Sequence, residues 1–238
     1  MTGKALRRGN WSVQELERLR QLLPRRGVAT TSMLLRRSSE SVQRKAAELL
    51  RVPPRRGDWT ASDDQLLRDS WGAVDVRLLA TMLGRPTADV RRRAGELRAR
   101  CLQGAWSRAE QQRLKELYGT RRDADLEVCL QRAVDDIVRM AASLCLAKDK
   151  RFAAGEAVEP GAARMPRWTT EQVARLRQVY ADRDNLAVAR LLGRSVTSVA
   201  NKANQLGLRK SPAVLADIGR TNVAVRYRTA DAAEAAAD

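Results

Sequence analysis

Residues 168–206 read WTTEQVARLRQVYADRDNLAVARLLGRSVTSVANKANQL, and three other stretches of the chain lie over this one without a gap. With Trp168 set in register with Trp11, Trp59 and Trp106, a hydroxyl follows in every copy: Thr169, Ser12, Thr60 and Ser107. Eight positions after the tryptophan stand Leu176, Leu19, Leu67 and Leu114. Farther along come a leucine (Leu192, Leu35, Leu83, Leu130) and, two residues later, an arginine (Arg194, Arg37, Arg85, Arg132). Each copy closes on a β-branched residue, an alanine and a leucine: Val199/Ala203/Leu206, Val42/Ala46/Leu49, Val90/Ala94/Leu97 and Ile137/Ala141/Leu144. Columns shared by four copies at a fixed period mark an array of supersecondary units.

One unit reads as three helices. Ser12 with Glu15, Thr60 with Asp63, Ser107 with Glu110 and Thr169 with Gln172 carry the capping-box spacing. In that arrangement the hydroxyl takes a free amide of the first turn and the side chain three residues on reaches back. Leu16/Leu19/Leu23, Leu67/Trp71, Leu114/Tyr118 and Leu176/Tyr180 recur at helical spacing behind the cap. A short second helix runs to a Leu-Gly-Arg or Leu-Arg-Arg corner, where Gly84 and Gly193 suit a left-handed C-terminal residue. Ser38, Thr87 and Ser195 are the candidate caps of the third helix, whose inner face is the β-branched/Ala/Leu set. The predicted fold is therefore all-α: four tandem three-helix units of helix-turn-helix type.

These units resemble Myb/SANT-type repeats, above all the compact bacterial and phage forms ending in runs such as Leu191-Leu192-Gly193-Arg194-Ser195-Val196-Thr197-Ser198-Val199. The resemblance covers about four-fifths of the chain. It implies a third helix that enters the DNA major groove, with asparagines prominent on its outer face. Animal and plant members usually carry a bulky residue where this chain has Ala46, Ala94, Ala141 and Ala203, so a closer-packed third helix is expected here.

The expected organisation is repeat 1 at 1–57, repeat 2 at 58–103, a degenerate repeat 3 at 104–146, a flexible linker at 147–166, repeat 4 at 167–210 and a tail at 211–238. A single unit of this size is marginal alone, and the short connections between the first three predict that they stack. The Ala/Gly/Pro-rich stretch before repeat 4 reads as a tether. No signal peptide and no membrane span are expected. Cys101, Cys129 and Cys145 are unevenly spaced and read as reduced, buried or half-buried thiols rather than a metal or redox site. There is no histidine, which removes the commonest general base and metal ligand. The expectation is a protein that is not an enzyme and that has no cofactor, no metal and no small-molecule ligand.

The net charge of +17 points to a polyanionic partner, and it is unevenly spread. Residues 1–57 carry 14 basic and 4 acidic side chains and residues 167–210 carry 9 and 3, whereas the two middle repeats are almost neutral. On the outer faces of the third helices, Gln43, Arg44, Arg91, Arg92, Asn201, Asn204 and Gln205 are the candidate base contacts. Asn and Gln pair bidentately with adenine and Arg with guanine. Lys45, Arg93 and Lys202 flank those faces and suit phosphates; three consecutive arginines, Arg91 to Arg93, do not all fit one groove. The corner residues Arg37, Arg85 and Arg194 suit either phosphates or an internal role at a helix end.

Repeat 3 departs from this pattern. Asp135 and Asp136 open its last helix where they would repel phosphates, and Val138 and Met140 replace polar groups, so a protein partner or self-association is expected there. The leading expectation is a sequence-preferring protein of double-stranded DNA, acting in transcriptional regulation or in chromosome or mobile-element organisation. A SANT-type protein interaction scaffold is the alternative from another class. RNA binding is weaker, because the five tryptophans are better explained as core than as stacking platforms. The expected compartment is a bacterial cytoplasm or nucleoid, with a nucleus as the alternative.

Overall fold

The computed structural model describes residues 6–7, 9–149, 152 and 167–220. The described residues are helical and loop only. The helices are α1 (Val13–Leu35), α2 (Ser39–Leu49), α3 (Ala61–Ser70), α4 (Val76–Leu83), α5 (Thr87–Ala99), α6 (Arg108–Leu117), α7 (Asp123–Leu130), α8 (Val134–Ser143), α9 (Thr170–Val179), α10 (Asn185–Leu192) and α11 (Val196–Gln205). They fall into groups of three. In the first group two helices are run together as α1, which breaks at Gly27 (φ 72°, ψ 175°).

The local signals act as their chemistry requires. Ser12, Thr60, Ser107 and Thr169 each accept the amide of the residue three on, and Glu15, Asp63, Glu110 and Gln172 each take the cap amide in return. Such a cap contributes about 1 kcal/mol to each first helix. Gly84 and Gly193 close α4 and α10 in the left-handed region. The same conformation is imposed on Arg36 (φ 56°) and Gln131 (φ 53°), where the sequence has no glycine. Ser38 and Ser195 cap the third helices α2 and α11. Thr87 does not cap α5: it is the first helical residue, and Pro86 precedes it without a side-chain cap. The Pro86 ring fixes φ at −58° in this extended cap position (ψ 145°).

The chain divides into two compact units, residues 1–141 with 148–157 and residues 142–147 with 158–238. In the first unit, Leu19, Leu23, Leu67, Leu83, Val90 and Leu97 belong to one core that runs from the first group of helices through the second and takes in Val128 of α7. The stack is locked at Arg121, which is only 1% exposed. Its guanidinium donates to the carbonyls of Arg25, Asp69 and Trp71 and to its own neighbour Thr120. Three successive repeats thus share one cation. Arg113 pairs with Asp69 at 2.5 Å and Arg98 with Glu127 at 3.4 Å across the second junction.

The second unit has its own core of Leu176, Tyr180, Val188, Ala189, Val199 and Ala203, against which Trp168, Leu206 and Cys145 pack. The repeat 3 boundary therefore differs from the expectation. The Cys145 carbonyl accepts the Val196 amide at 3.1 Å and the Ser143 carbonyl accepts Arg190 at 2.8 Å, so residues 142–147 belong with repeat 4. The expected linker is also shorter at its start, because Lys148 is held against repeat 3. The rest of the tether, at 150–151 and 153–166, lies outside the described residues. The tail begins with a helix over 212–220. Ser211 donates its amide to the Ala181 carbonyl, and its hydroxyl receives the Val214 amide. Ser-Pro followed by an apolar run is a helix-start signal. No helix among the described residues is long and apolar enough to cross a membrane.

Candidate nucleic-acid interface

Each third helix is seated by the columns that repeat in the sequence. Val42 and Ala46, Val90, Ala94 and Leu97, Ile137 and Ala141, and Val199 and Ala203 are all buried. Because side chains one, two, five and six positions beyond the β-branched residue turn away from that face, the outward sets follow. Gln43 and Arg44 of α2 are exposed, as are Arg91 and Arg92 of α5 and Asn201, Asn204 and Gln205 of α11. Arg92 reaches Asp89 at 2.9 Å on its own helix, and the Gln205 side-chain amide oxygen accepts from Lys202 at 3.0 Å. The seven side chains expected to read bases are thus all exposed, distributed over three helices.

The flanking cations are more committed than their spacing suggests. Lys45 pairs with Glu48 at 2.7 Å. Arg93 is half-buried and forms a two-pronged bond to Asp64 (2.8 and 2.7 Å) and a third to Glu96. That bond holds the Asp64 carboxyl below its usual range and raises the already high pKa of Arg93. Arg93, expected at phosphates, instead ties α5 to α3.

The corner arginines take the internal role. Arg37 is 4% exposed; it donates to the carbonyls of Gly9 and Asn10, grips Glu15 at 2.9 and 3.1 Å and lies 4.7 Å over the Trp11 ring. Arg85 repeats this with Gly57, Asp58 and Trp59, and Arg132 with Gly104, Ala105, Glu110 and Trp106. Arg194, half-buried, bonds the Arg167 carbonyl and Gln172 beside Trp168. A guanidinium has five donors in a planar fork, and here they close the corner onto the segment that leads into the tryptophan. The Arg37 bonds hold the Glu15 carboxyl down at about 2. For Glu110, burial alone would raise the pKa, but Ser107 and Arg132 outweigh it and leave it lowered.

In repeat 3, Asp136 is not a free anion facing a groove. Its carboxylate accepts the Trp106 indole N–H at 2.9 Å and meets Arg132 at 3.5 Å. Asp135 is exposed, Val138 is 41% exposed and Met140 is half-buried. The three cysteines are free, Cys129 buried and the others half-buried, and burial pushes the Cys129 thiol up to about 11. No cluster of acidic and thiol groups suited to a metal ion occurs among the described residues.

A further matched pair went unread in the sequence. Lys148 and Lys210 each stand 42 residues after their tryptophan, and Tyr118 and Tyr180 each stand 12 after. Lys148 lies 4.1 Å over Tyr118 and donates to the carbonyls of Tyr118 and Arg121. Lys210 lies 3.6 Å over Tyr180 and donates to those of Tyr180 and Arg183. Repeats 1 and 2 have Pro53 and Cys101 in that column. The signal needed a comparison of two copies, not four. Comparisons with protein-family models, curated proteins and solved structures find no match to this chain.

Proposed function

We propose that this protein binds double-stranded DNA with a sequence preference, placing α2, α5 and α11 of repeats 1, 2 and 4 in the major groove as Myb/SANT-like repeats do. The observation that carries this reading is the exposed amide and guanidinium set of Gln43, Arg44, Arg91, Arg92, Asn201, Asn204 and Gln205, on helices whose opposite faces are buried. Bidentate pairs of these side chains with adenine or guanine supply about 1–3 kcal/mol of discrimination each. The charge excess of the first and last repeats supplies the salt-dependent affinity that makes such readers slide and search. Linked readers cover a longer site than one helix, which suits regulation of transcription or organisation of a chromosome or mobile element, in a nucleoid or a nucleus. The reading assigns no catalysis.

A second reading belongs to repeat 3, where exposed Val138 beside exposed Asp135 suits a protein partner better than a phosphate backbone. The test is selection of bound duplexes from a random pool, followed by gel shifts with Asn201→Ala/Asn204→Ala. The variant is expected to keep binding at low salt and to lose 10-fold or more of its preference for the selected site, by the same 1–3 kcal/mol. Absence of any duplex binding by the intact chain at low salt favours the scaffold.

A further inference from the structure

We infer that the segment leading into the tryptophan of repeat 2, folded onto the α4–α5 corner, forms a cationic cleft that takes the phosphodiester backbone of duplex DNA. This deepens the DNA-binding reading and rests on it. The cleft has a volume of about 1040 Å³. Seven of its lining residues are arginines: Arg51, Arg55, Arg56, Arg77, Arg85, Arg92 and Arg93; its anions are Asp58 and Asp89.

The arginines divide sharply. Arg85 and Arg93 are engaged internally, Arg92 meets Asp89, and Arg55 reaches Asp63 at 3.4 Å. Arg51, Arg56 and Arg77 are exposed, and their guanidinium groups have no hydrogen bond or ion pair among the described residues. Three unneutralised cations line one concave surface. Folding gains nothing from their proximity, because like charges repel one another, whereas a cleft lined by one sign of charge focuses its own positive field and draws anions in.

The cleft is also held in shape. The Val52 amide donates to the Thr81 carbonyl at 3.3 Å and the Arg55 amide to the Gly84 carbonyl at 2.7 Å. A Cβ at Gly84 would collide with the Pro53 carbonyl, so the segment lies directly on the corner. Repeat 1 presents the same construction. Arg7-Arg8-Gly9-Asn10-Trp11 matches Arg55-Arg56-Gly57-Asp58-Trp59. The Arg7 amide donates to the Arg36 carbonyl at 2.6 Å, and Arg7, Arg44 and Lys45 line a cleft of about 440 Å³. Repeat 3 keeps the backbone bond, Leu102 to Gln131 at 2.6 Å, but has Leu102 and Gln103 in place of the arginine pair. The pair is thus not needed to make the bond. It occurs in the two repeats whose third helices expose Arg44 or Arg91 and Arg92. Guanidinium is the side chain best matched to phosphate oxygens, and phosphate contacts fix the register in which neighbouring groups read bases.

The experiment measures affinity of the full chain for the selected duplex across a salt series. Three chains are compared: wild type, Arg51→Gln/Arg56→Gln/Arg77→Gln, and the charge-matched control Arg18→Gln/Arg20→Gln/Arg26→Gln on exposed positions of α1. Each phosphate contact contributes about 0.9 to the slope of log affinity against log salt. The cleft variant is expected to lose about 2–3 from that slope, to keep its ratio of selected to scrambled affinity, and to regain the slope when the same positions carry lysine. The control is expected to keep the wild-type slope. Specific binding by all three chains with equal slopes overturns the cleft alone. So does an equal loss in the control, which would mean that only total charge matters. No duplex binding by wild type overturns the cleft together with the reading beneath it.

Discussion

Arg37 and Glu15 show what a repeated residue is for. The arginine column reads equally well as a phosphate set or as a helix-end set, because spacing does not reveal which way a guanidinium turns. The structure turns it inward, onto the carboxylate of the capping box and the carbonyls before the tryptophan. This makes acid sensitivity a property of the corner. Glu15 titrates near 2 when folded, against an ordinary 4.5, chiefly because Arg37 bonds its charged form. The unfolded chain therefore binds the proton first. The stabilisation is full above about pH 4.5 and disappears as the pH falls toward 2. Denaturant titrations of wild type and Glu15→Gln at pH 6.5 and pH 3 provide the check. The variant should be less stable at pH 6.5 by on the order of 2–3 kcal/mol, with the gap narrowing at pH 3. An undiminished gap would show that Glu15 acts through something other than its charge.

At the scale of the helix, the corners separate two demands that sequence alone runs together. Gly84 and Gly193 were both legible as left-handed ends, and both are. Only Gly84 also has a chain lying against it, since a Cβ there meets the Pro53 carbonyl while one at Gly193 meets open space. Gly193→Ala should cost about 1 kcal/mol, the strain of the conformation. Gly84→Ala should cost clearly more, because the segment at 52–55 must move as well. Thermal melts of the two variants distinguish the terms, and equal losses would mean that the close approach carries no energy. First helices were legible from their caps, since a capping box is local in sequence. The start of α5 at Thr87 was not: Pro86 sets the backbone without any side-chain bond, so hydroxyl counting misplaces it. The helix at 212–220 was missed for a related reason. Its Ser211-Pro212 start is clear, but its half-buried face is only Val214 and Ile218, too few apolar positions to stand out beside the Ala/Asp/Glu run that follows.

For the whole molecule, the sequence announced four units and a stack but not what locks the stack. Fifteen residues after the tryptophan that opens each repeat stand Arg26, Val74, Arg121 and Arg183. Of the three arginines, Arg26 and Arg183 are exposed and Arg121 is enclosed. Its partners in the other two repeats are carbonyl oxygens, which every residue possesses, so no residue pattern marks the junction. The exposed faces were more legible, because burial of the β-branched/Ala/Leu columns fixes by geometry what points away. Arg121→Met keeps the length of the side chain and removes its donors, leaving carbonyls of three repeats without their partner. A loss of about 2–4 kcal/mol is expected, with unfolding of the first compact unit spreading over a broader denaturant range as the repeats part. Tryptophan fluorescence follows this at Trp11, Trp59, Trp71 and Trp106, and an unchanged, equally steep transition would rule out the clamp. The position of that arginine also sets an order of events during synthesis. Residues 25, 69 and 71 leave the ribosome well before residue 121 does, so the first two repeats, which share a core of their own, gain the arginine that clamps them only when the third begins to emerge.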